Sequence, residues 1–208
     1  MYKKNTVLFH PIIQDWFFQN IGKPTDIQNL AWPRISSGQH TLITAPTGSG
    51  KTLTAFLWSL NQLITGNLPL GQTSVLYISP LKALNNDIQR NLIEPLRALE
   101  KEFLSKGEIF PKIRVQTRSG DTSQADRQRM LRQAPEILIT TPESLNLLLS
   151  SPRSRLILTN LKTIILDEIH ALVDSKRGVH LITAVERLVL LSGEFQRFAL
   201  SATVNPLE

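Results

Sequence analysis

The chain has 208 residues, of which 41% are hydrophobic, so it is long enough to bury a core and is expected to fold as one domain. It contains no cysteine, which argues against a secreted fold held together by disulfides. The net charge of +6 allows a polyanionic partner but does not require one.

The N-terminal residues are not expected to form a targeting signal. Lys3 and Lys4 precede an apolar stretch, but His10 and Pro11 interrupt it too early for a signal peptide. No run approaches the roughly 20 apolar residues that a membrane helix needs. The sequence therefore predicts a soluble cytoplasmic protein.

Residues 1–40 are predicted to form a helical segment of two helices. The first holds an aromatic stretch around Trp16 and ends near Gly22, and the second runs from Thr25 to Gly38. Thr25 and Gln28 have the spacing of a capping box, in which each side chain satisfies an unpaired backbone amide.

Residues 41–208 alternate short apolar runs with amphipathic helical stretches. The runs are Leu42-Ile43, Val75 to Ile78, Ile113 to Val115, Ile137 to Ile139, Ile164 to Leu166 and Phe198 to Leu200. Helical faces are indicated by Leu53, Phe56, Leu57, Leu60 and Ile64; by Leu81, Leu84, Ile88 and Leu92; and by Val179, Ile182, Val185 and Val189. Pro95 is expected to end or kink the second of these helices. The alternation predicts an α/β domain with a doubly wound, mainly parallel sheet flanked by helices.

The stretch from Thr41 to Thr52 has the pattern of a phosphate-binding loop between a strand and a helix. Its glycines let backbone amides approach a phosphate at the positive end of a helix dipole. Lys51 is predicted to reach the β- and γ-phosphates, and Thr52 to ligate Mg²⁺. The loop residues predicted to bind the nucleotide are Pro46, Thr47, Gly48, Ser49, Gly50, Lys51 and Thr52. Ala45 stands where the general pattern has glycine, and a strand–turn–helix without a ligand is the alternative.

Polar clusters follow every predicted strand, so they are expected at one edge of the sheet, where open parallel sheets bind ligands. Asp167 and Glu168 end one such strand. Beside a phosphate loop, Asp167 can hold Mg²⁺ through water while Glu168 acts as the base that activates the attacking water. Acids that favour a helix N-terminus are the alternative.

The order of these motifs resembles the first RecA-like motor domain of a superfamily-two helicase. The matching segments are Ala45 to Thr52, Thr140 to Ser144, Asp167 to His170 and Ser201 to Thr203. More narrowly, the chain is similar to the large helicase-related (Lhr) family, through Ala31 to Pro33, Ser79 to Leu84, Arg118 to Thr122, Asp126 to Leu131 and Glu186 to Leu188. The resemblance covers essentially the whole chain and implies ATP and Mg²⁺ as cofactors.

The resemblance also implies roles for single residues. Gln28 would read the adenine by its amide edge, which does not exclude the capping box, and Phe9 is a candidate for stacking on the base. His170, Ser201 and Thr203 would couple hydrolysis to strand movement; a plain turn and a loop histidine are the alternatives.

A further set would hold a nucleic-acid backbone, although serine and threonine are also common helix caps. Its members are Ser79, Pro80, Lys82, Gly120, Thr140, Thr141 and Pro142. The basic segment 112–132, which on its own reads equally well as a solvated helix face, adjoins Gly120.

The implied partners are single-stranded nucleic acid, DNA rather than RNA, and a second RecA-like domain. Because the chain stops shortly after Thr203, we expect a fragment of a longer protein with little activity alone. A non-catalytic nucleic-acid-binding module and a translocase subunit without strand separation are the alternatives.

Overall fold

The structure is a computed structural model that describes residues 8–80, 84–172 and 175–202. Its helices are α1 (Pro11–Asn20), α2 (Asp26–Ser36), α3 (Lys51–Ile64), α4 (Leu84–Ile88), α5 (Glu94–Ser105), α6 (Gln124–Arg132), α7 (Pro142–Ser150), α8 (Pro152–Arg155) and α9 (Lys176–Ser192). In the described ranges, none of the helices is both long and apolar enough to cross a membrane.

The strands form one six-stranded sheet in which every pair is parallel. They are β1 (Thr41–Thr44), β2 (Val75–Ile78), β3 (Val115–Arg118), β4 (Ile137–Thr140), β5 (Thr163–Leu166) and β6 (Gln196–Ser201). Their order across the sheet is β1-β6-β5-β2-β4-β3. The predicted fold class is confirmed.

Two apolar cores lie on opposite faces of the sheet. Along β2, Val75 and Tyr77 join the core with helices α1, α2, α3 and α5, whereas Leu76 and Ile78 join the core with α7 and α9. Both helices of the predicted 1–40 segment pack into the first core, and the Trp32 Nε1–H donates to the carbonyl of Thr54 in α3 over 3.1 Å. The division of domains at residue 40 remains a prediction.

The third strand begins later than predicted. Ile113 and Arg114 precede β3, because the Arg114 N–H donates to the Glu136 carboxylate over 2.7 Å instead of to a neighbouring strand. The Arg114 guanidinium binds both oxygens of the same carboxylate, so this ion pair fixes the start of the strand.

The predicted inner face of α9 was only partly right: Val185 is buried and Val189 packs against the core, but the other two predicted residues are exposed. Val179 and Ile182 are 65% and 66% exposed, and the buried residues are Leu181, Ala184, Val185 and Leu188. The two sets share Val185, so the buried face of α9 is rotated relative to the predicted one rather than opposite to it.

Pro95 interrupts a longer helical segment, as predicted. A π-helical stretch (Gln89–Ile93) separates α4 from α5, and Pro95 occupies the first turn of α5. Proline has no N–H and collides with the carbonyl four residues earlier, and a wider turn relieves that collision. Arg90 and Asn91 of this stretch, together with Asp87 of α4, line the cavity described next.

Candidate functional site

A cavity of about 460 Å³ opens at the carboxyl ends of the strands and gathers most of the predicted nucleotide-site residues. Its walls include the loop residues 47–52, the adjacent acids Asp167 and Glu168, and Gln28 from α2. Residues more than 100 positions apart in the sequence thus meet at one site, as the strand-end pattern predicted.

The phosphate loop ends at Gly50, which caps α3 in the left-handed region at φ +88°. A Cβ atom there would lie 2.8 Å from Nε2 of Gln28. Position 50 therefore requires glycine for both its backbone angle and its close neighbour. The first residues of the 14-residue α3 form part of the cavity wall, so the N-terminal end of this helix lies at the cavity. Helix N-termini commonly bind anions in this arrangement.

Lys51 is held against the loop that it follows. Its Nζ donates to the carbonyls of Ala45 and Pro46 over 2.6 and 3.0 Å, and the residue is only 7% exposed. Two of its three N–H donors are therefore used by the loop itself. The Ala45 side chain is buried and its N–H donates to Ser201, so this part of the loop is fixed to β6.

Gln28 forms the predicted capping box with Thr25. Its Oε1 accepts the Thr25 N–H over 2.9 Å, and Thr25 Oγ1 accepts the Gln28 N–H. Thr25 Oγ1 also donates to the carbonyl of Ser49 over 3.1 Å, which attaches α2 to the phosphate loop. Gln28 is 1% exposed, with Nε2 directed at Gly50. The cap is confirmed, and adenine recognition by Gln28 remains a prediction.

Phe9 does not line the cavity. Its ring packs edge-on against Trp32 and Trp58, with centroids 4.8 and 5.7 Å away, so the stacking role suggested for it is not supported. Ile21 and Lys23, which the sequence reading missed, lie at the Gln28 end of the cavity wall instead. Their position just before the capping box was the available signal.

Asp167 is fixed at several points beside β2. Its N–H donates to the Ile78 carbonyl over 2.8 Å, its Oδ1 accepts the Glu168 N–H over 2.9 Å, and its Oδ2 accepts the Tyr77 hydroxyl. Burial raises the pKa of the Asp167 carboxyl above its ordinary value, and the Tyr77 hydrogen bond acts in the opposite direction. Burial and the Asp167 charge also raise the pKa of Tyr77, so the phenol stays protonated and donates.

Glu168 has a backbone φ of +51°, in the left-handed region. Among the described residues it is the one residue other than glycine with a positive φ. Its Oε2 lies 3.1 Å from Nε2 of His170, while Nδ1 of His170 accepts the Ala202 N–H over 3.1 Å. Because Nδ1 is an acceptor, a neutral His170 carries its proton on Nε2. This Nε2–H donates a hydrogen bond to the Glu168 carboxylate. The histidine thus bridges the acidic pair and the segment that follows β6.

Ser201, predicted for coupling, is buried at the end of β6, and its hydroxyl donates to the Ala202 carbonyl over 2.9 Å. Lys82 and Thr203 lie outside the described residues. The coupling role predicted for this group remains a prediction.

The predicted nucleic-acid residues lie farther along the same edge, and several of their polar groups are engaged within the protein. The buried Thr140 hydroxyl donates to the Arg118 carbonyl, and the Thr141 hydroxyl caps α7, which starts at Pro142. Ser79 is buried and its N–H donates to Thr140. These contacts support the helix-cap alternative for Thr141 and leave mainly backbone groups for a ligand.

Two arginines brace this part of the edge. Arg177 donates through Nε to Glu143 over 2.6 Å and through Nη2 to the Pro80 carbonyl over 2.9 Å. Arg127 donates to the carbonyls of Gly120 and Thr122 over 2.9 and 2.8 Å. Neither contact was predicted from the sequence; the partners of Arg177 are distant in the chain, whereas those of Arg127 lie in the turn just before its own helix.

The basic segment 112–132 is not a uniform solvated face. Arg118 is 8% exposed, and burial together with the charge of Arg127 lowers its pKa. Arg129 and Arg132 on α6 are exposed. The segment therefore combines one buried arginine with solvent-facing ones.

The donor set suits a magnesium ion that binds together with phosphates. Among the described residues no group of three or more histidine, cysteine or acidic side chains could hold a metal alone. Thr52, Asp167 and Glu168 line one cavity and offer hydroxyl and carboxylate oxygens. Mg²⁺ is commonly held in this way, by one or two carboxylates plus substrate phosphates.

Comparison with known proteins places this site in a family. The family described as DEAD/DEAH box helicase matches residues 25–208. The chain belongs to the DEAD/DEAH box helicase family. It is a helicase motor domain, and the predicted resemblance is confirmed.

Individual relatives of this helicase domain carry the name Lhr. The chain is 48% identical over 200 residues to "ATP-dependent helicase Lhr-Core protein 2" of Thermococcus barophilus, covering 94% of this chain and 23% of that protein. It is 46% identical over 206 residues to "Lhr helicase/uracil glycosylase" of Escherichia coli, covering 95% of this chain and 13% of that protein.

A solved structure, the helicase Lhr of Mycobacterium smegmatis bound to ssDNA and AMP-PNP, is similar with a TM-score of 0.88 and 46% identity. The match covers 95% of this chain and 25% of that one. The chain thus spans about a quarter or less of the length of these relatives.

Proposed function

We propose that this domain binds ATP with Mg²⁺ and, within a longer protein, drives movement along single-stranded nucleic acid, DNA rather than RNA. The observation that carries the proposal is the cavity shared by the phosphate loop and the Asp167–Glu168 pair. The similar Mycobacterium smegmatis helicase was solved with ssDNA and a nucleotide analogue, which supports both ligands. The cytoplasmic location suggested by the sequence remains a prediction.

At the phosphate end, the α3 amides and Lys51 would bind the β- and γ-phosphates. Lys51 is already at the cavity wall, and two of its hydrogen bonds go to the carbonyls of Ala45 and Pro46. A phosphate oxygen would compete with these neutral acceptors for the ammonium group, and charge-assisted bonds are the stronger ones.

Thr52 and Asp167 would hold Mg²⁺, which supplies neutralisation of the charge that develops on the phosphate oxygens. Glu168 would orient a water molecule and accept its proton. The hydrogen bond from His170 fixes the direction of the Glu168 carboxylate and connects it to Ala202 after β6. Movement of that segment would then change the position of the base, which is a physical route for coupling.

At the other end of the cavity, Gln28 would contact the adenine and the Ile21 and Lys23 side chains would cover it. Gln28 Oε1 retains a second lone pair beside the bond from Thr25, so the cap does not prevent base recognition.

The nucleic-acid strand would lie along the edge after β2, β4 and β3. At this edge the Gly120 N–H and the N-terminal amides of α7, which begins at Pro142, would donate to phosphates, while Ser79 and Pro80 would line the path of the strand; such contacts position a strand without reading its sequence. A second RecA-like domain from the rest of the protein would complete the nucleotide site, because an arginine supplied from outside typically adds about 10³–10⁵ in rate.

Binding of a fluorescent ATP analogue to the full-length protein tests the proposal directly. Lys51→Ala is expected to weaken Mg²⁺–nucleotide binding at least about tenfold, since one charge-assisted contact is lost. Lys101→Ala, an exposed lysine on α5, is the matched control and should bind normally. Affinities for labelled oligo-dT and oligo-U separate DNA from RNA. A wild-type protein that binds no ATP in Mg²⁺ would refute the proposal.

A further inference from the structure

Tyr77 is fully buried, and its hydroxyl is the one polar side-chain group in strand β2, which is otherwise apolar. Its ring packs against Phe56 with centroids 4.9 Å apart, a contact that phenylalanine would make equally well. The hydroxyl is what distinguishes tyrosine here, and it donates to Oδ2 of Asp167. The hydroxyl therefore acts on the carboxylate that the proposed function assigns to the metal.

The Asp167 carboxylate is constrained at both oxygens. Tyr77 binds Oδ2, and the Glu168 amide binds Oδ1 over 2.9 Å. The backbone of Asp167 is also bound to Ile78, the neighbour of Tyr77. With both oxygens engaged, the carboxylate plane cannot rotate, and its free lone pairs keep one direction at the cavity wall.

The same strand leads directly to the predicted nucleic-acid edge. Ile78 is followed by Ser79, whose N–H donates to Thr140 over 3.1 Å, and by Pro80, whose carbonyl accepts Arg177. A carboxylate attached to β2 is therefore tied to the strand that carries these contacts.

We infer that the Tyr77 hydroxyl is a positioning group that holds the Asp167 carboxylate in the orientation required to bind Mg²⁺ with the nucleotide. This inference rests on the proposed function. Hydrogen-bond partners of metal-binding carboxylates typically contribute about 10- to 100-fold to metal affinity. A tyrosine that only fills the core would contribute nothing to the metal response.

The test is Mg²⁺-dependent binding of a fluorescent ADP analogue to the full-length protein and its Tyr77→Phe variant. The Mg²⁺ concentration for half-maximal binding is expected to rise about tenfold in the variant. Binding in EDTA should stay within about twofold, because Tyr77 orients the metal carboxylate and not the loop amides. Ser59→Ala removes another buried hydroxyl, which bonds only within α3, and should leave both quantities unchanged.

An unchanged Mg²⁺ response in Tyr77→Phe overturns the inference, and so does an equal loss of binding with and without Mg²⁺. A wild-type protein with no Mg²⁺-dependent binding would refute the proposed function instead, so the two failures are distinguishable.

If Tyr77→Phe does not fold, the comparison moves to Asp167→Asn, which removes the buried charge that the hydroxyl satisfies. Adding Tyr77→Phe to that variant should change the Mg²⁺ response no further, since the positioned carboxylate is already gone. An additional loss would show that Tyr77 acts independently of Asp167 and would overturn the inference.

Discussion

His170 accepts the Ala202 N–H at Nδ1 over 3.1 Å and places Nε2 3.1 Å from the Glu168 carboxylate. One side chain thereby connects the proposed catalytic base with the end of β6. Because both ring nitrogens are engaged, a displacement of Ala202 would move the His170 ring and with it the hydrogen bond to the Glu168 carboxylate.

Replacing His170 with alanine should separate nucleotide binding from its use. In the full-length protein, His170→Ala should bind nucleotide within about twofold of wild type, yet nucleic-acid-stimulated ATP hydrolysis should fall about tenfold or more, because the base loses its orienting partner. His180→Ala, an exposed histidine on α9, is the control. Wild-type stimulation in His170→Ala would show that this bridge is not used.

Glu168 offers a second prediction, because its backbone is strained. Glu168→Gln removes the base and should retain nucleotide binding while hydrolysis falls about 100-fold or more. Glu168→Gly should be equally inactive but more stable than Glu168→Gln by about 1 kcal/mol, because glycine adopts φ +51° without steric cost. Urea unfolding measures the difference, and equal stabilities would argue against strain at this residue.

Gly50→Ala should destabilise the loop by two separable effects. Its left-handed backbone costs about 1 kcal/mol or more for alanine, and the new Cβ would lie 2.8 Å from Gln28 Nε2. Gly66→Ala has φ +75° and open space, so it reports the backbone effect alone. Gln28→Ala combined with Gly50→Ala should recover the steric part in thermal unfolding. No recovery would mean that Gln28 is not the obstacle.

The ion pair of Arg114 and Glu136 predicts a pH-dependent contribution to stability. Burial alone would raise the pKa of Glu136, but hydrogen bonds from Arg114 and the Gly71 amide bring it below the ordinary 4.5. The contribution is therefore fully present above pH 4.5 and is lost as the pH falls through the lower folded pKa.

Glu136→Gln should cost about 3 kcal/mol at pH 7, since it leaves a partly buried guanidinium unpaired. The difference in unfolding free energy between this variant and the wild type should shrink as the pH falls below 4.5. Glu108→Gln, an exposed acid, should show no such gap. A gap independent of pH would contradict the assigned cause.

The sheet, the loop and the acidic pair could be predicted because their signals are local. An apolar run followed at once by polar residues indicates both a strand and the edge where it ends, as at Ile43 or Leu166. The capping box of Thr25 and Gln28 is equally local, since three residues separate its partners.

Contacts that depend on strand order could not be predicted in this way. Tyr77 meets Asp167 because β2 lies beside β5, and His170 meets Ala202 because β6 lies on the other side of β5. Nothing near Tyr77 in the sequence announces that neighbour. The rotation of α9 was missed for a related reason: Val179 and Ile182 continue the apolar pattern beside the buried face, and only packing on the sheet decides which of these residues are buried.

The position of β6 has a consequence for biosynthesis. Within the described sheet, β1 pairs with β6 alone, so that Thr41 lies opposite Phe198. The ribosome synthesises β1 well before β6. Strand pairs that are so distant in the sequence form slowly. Until residues 196–201 have left the ribosome, β1 has no partner strand in the described sheet. The phosphate loop that follows β1 then cannot adopt its folded conformation. This domain should therefore gain its ability to bind nucleotide only after β6 has been synthesised and has inserted beside β1.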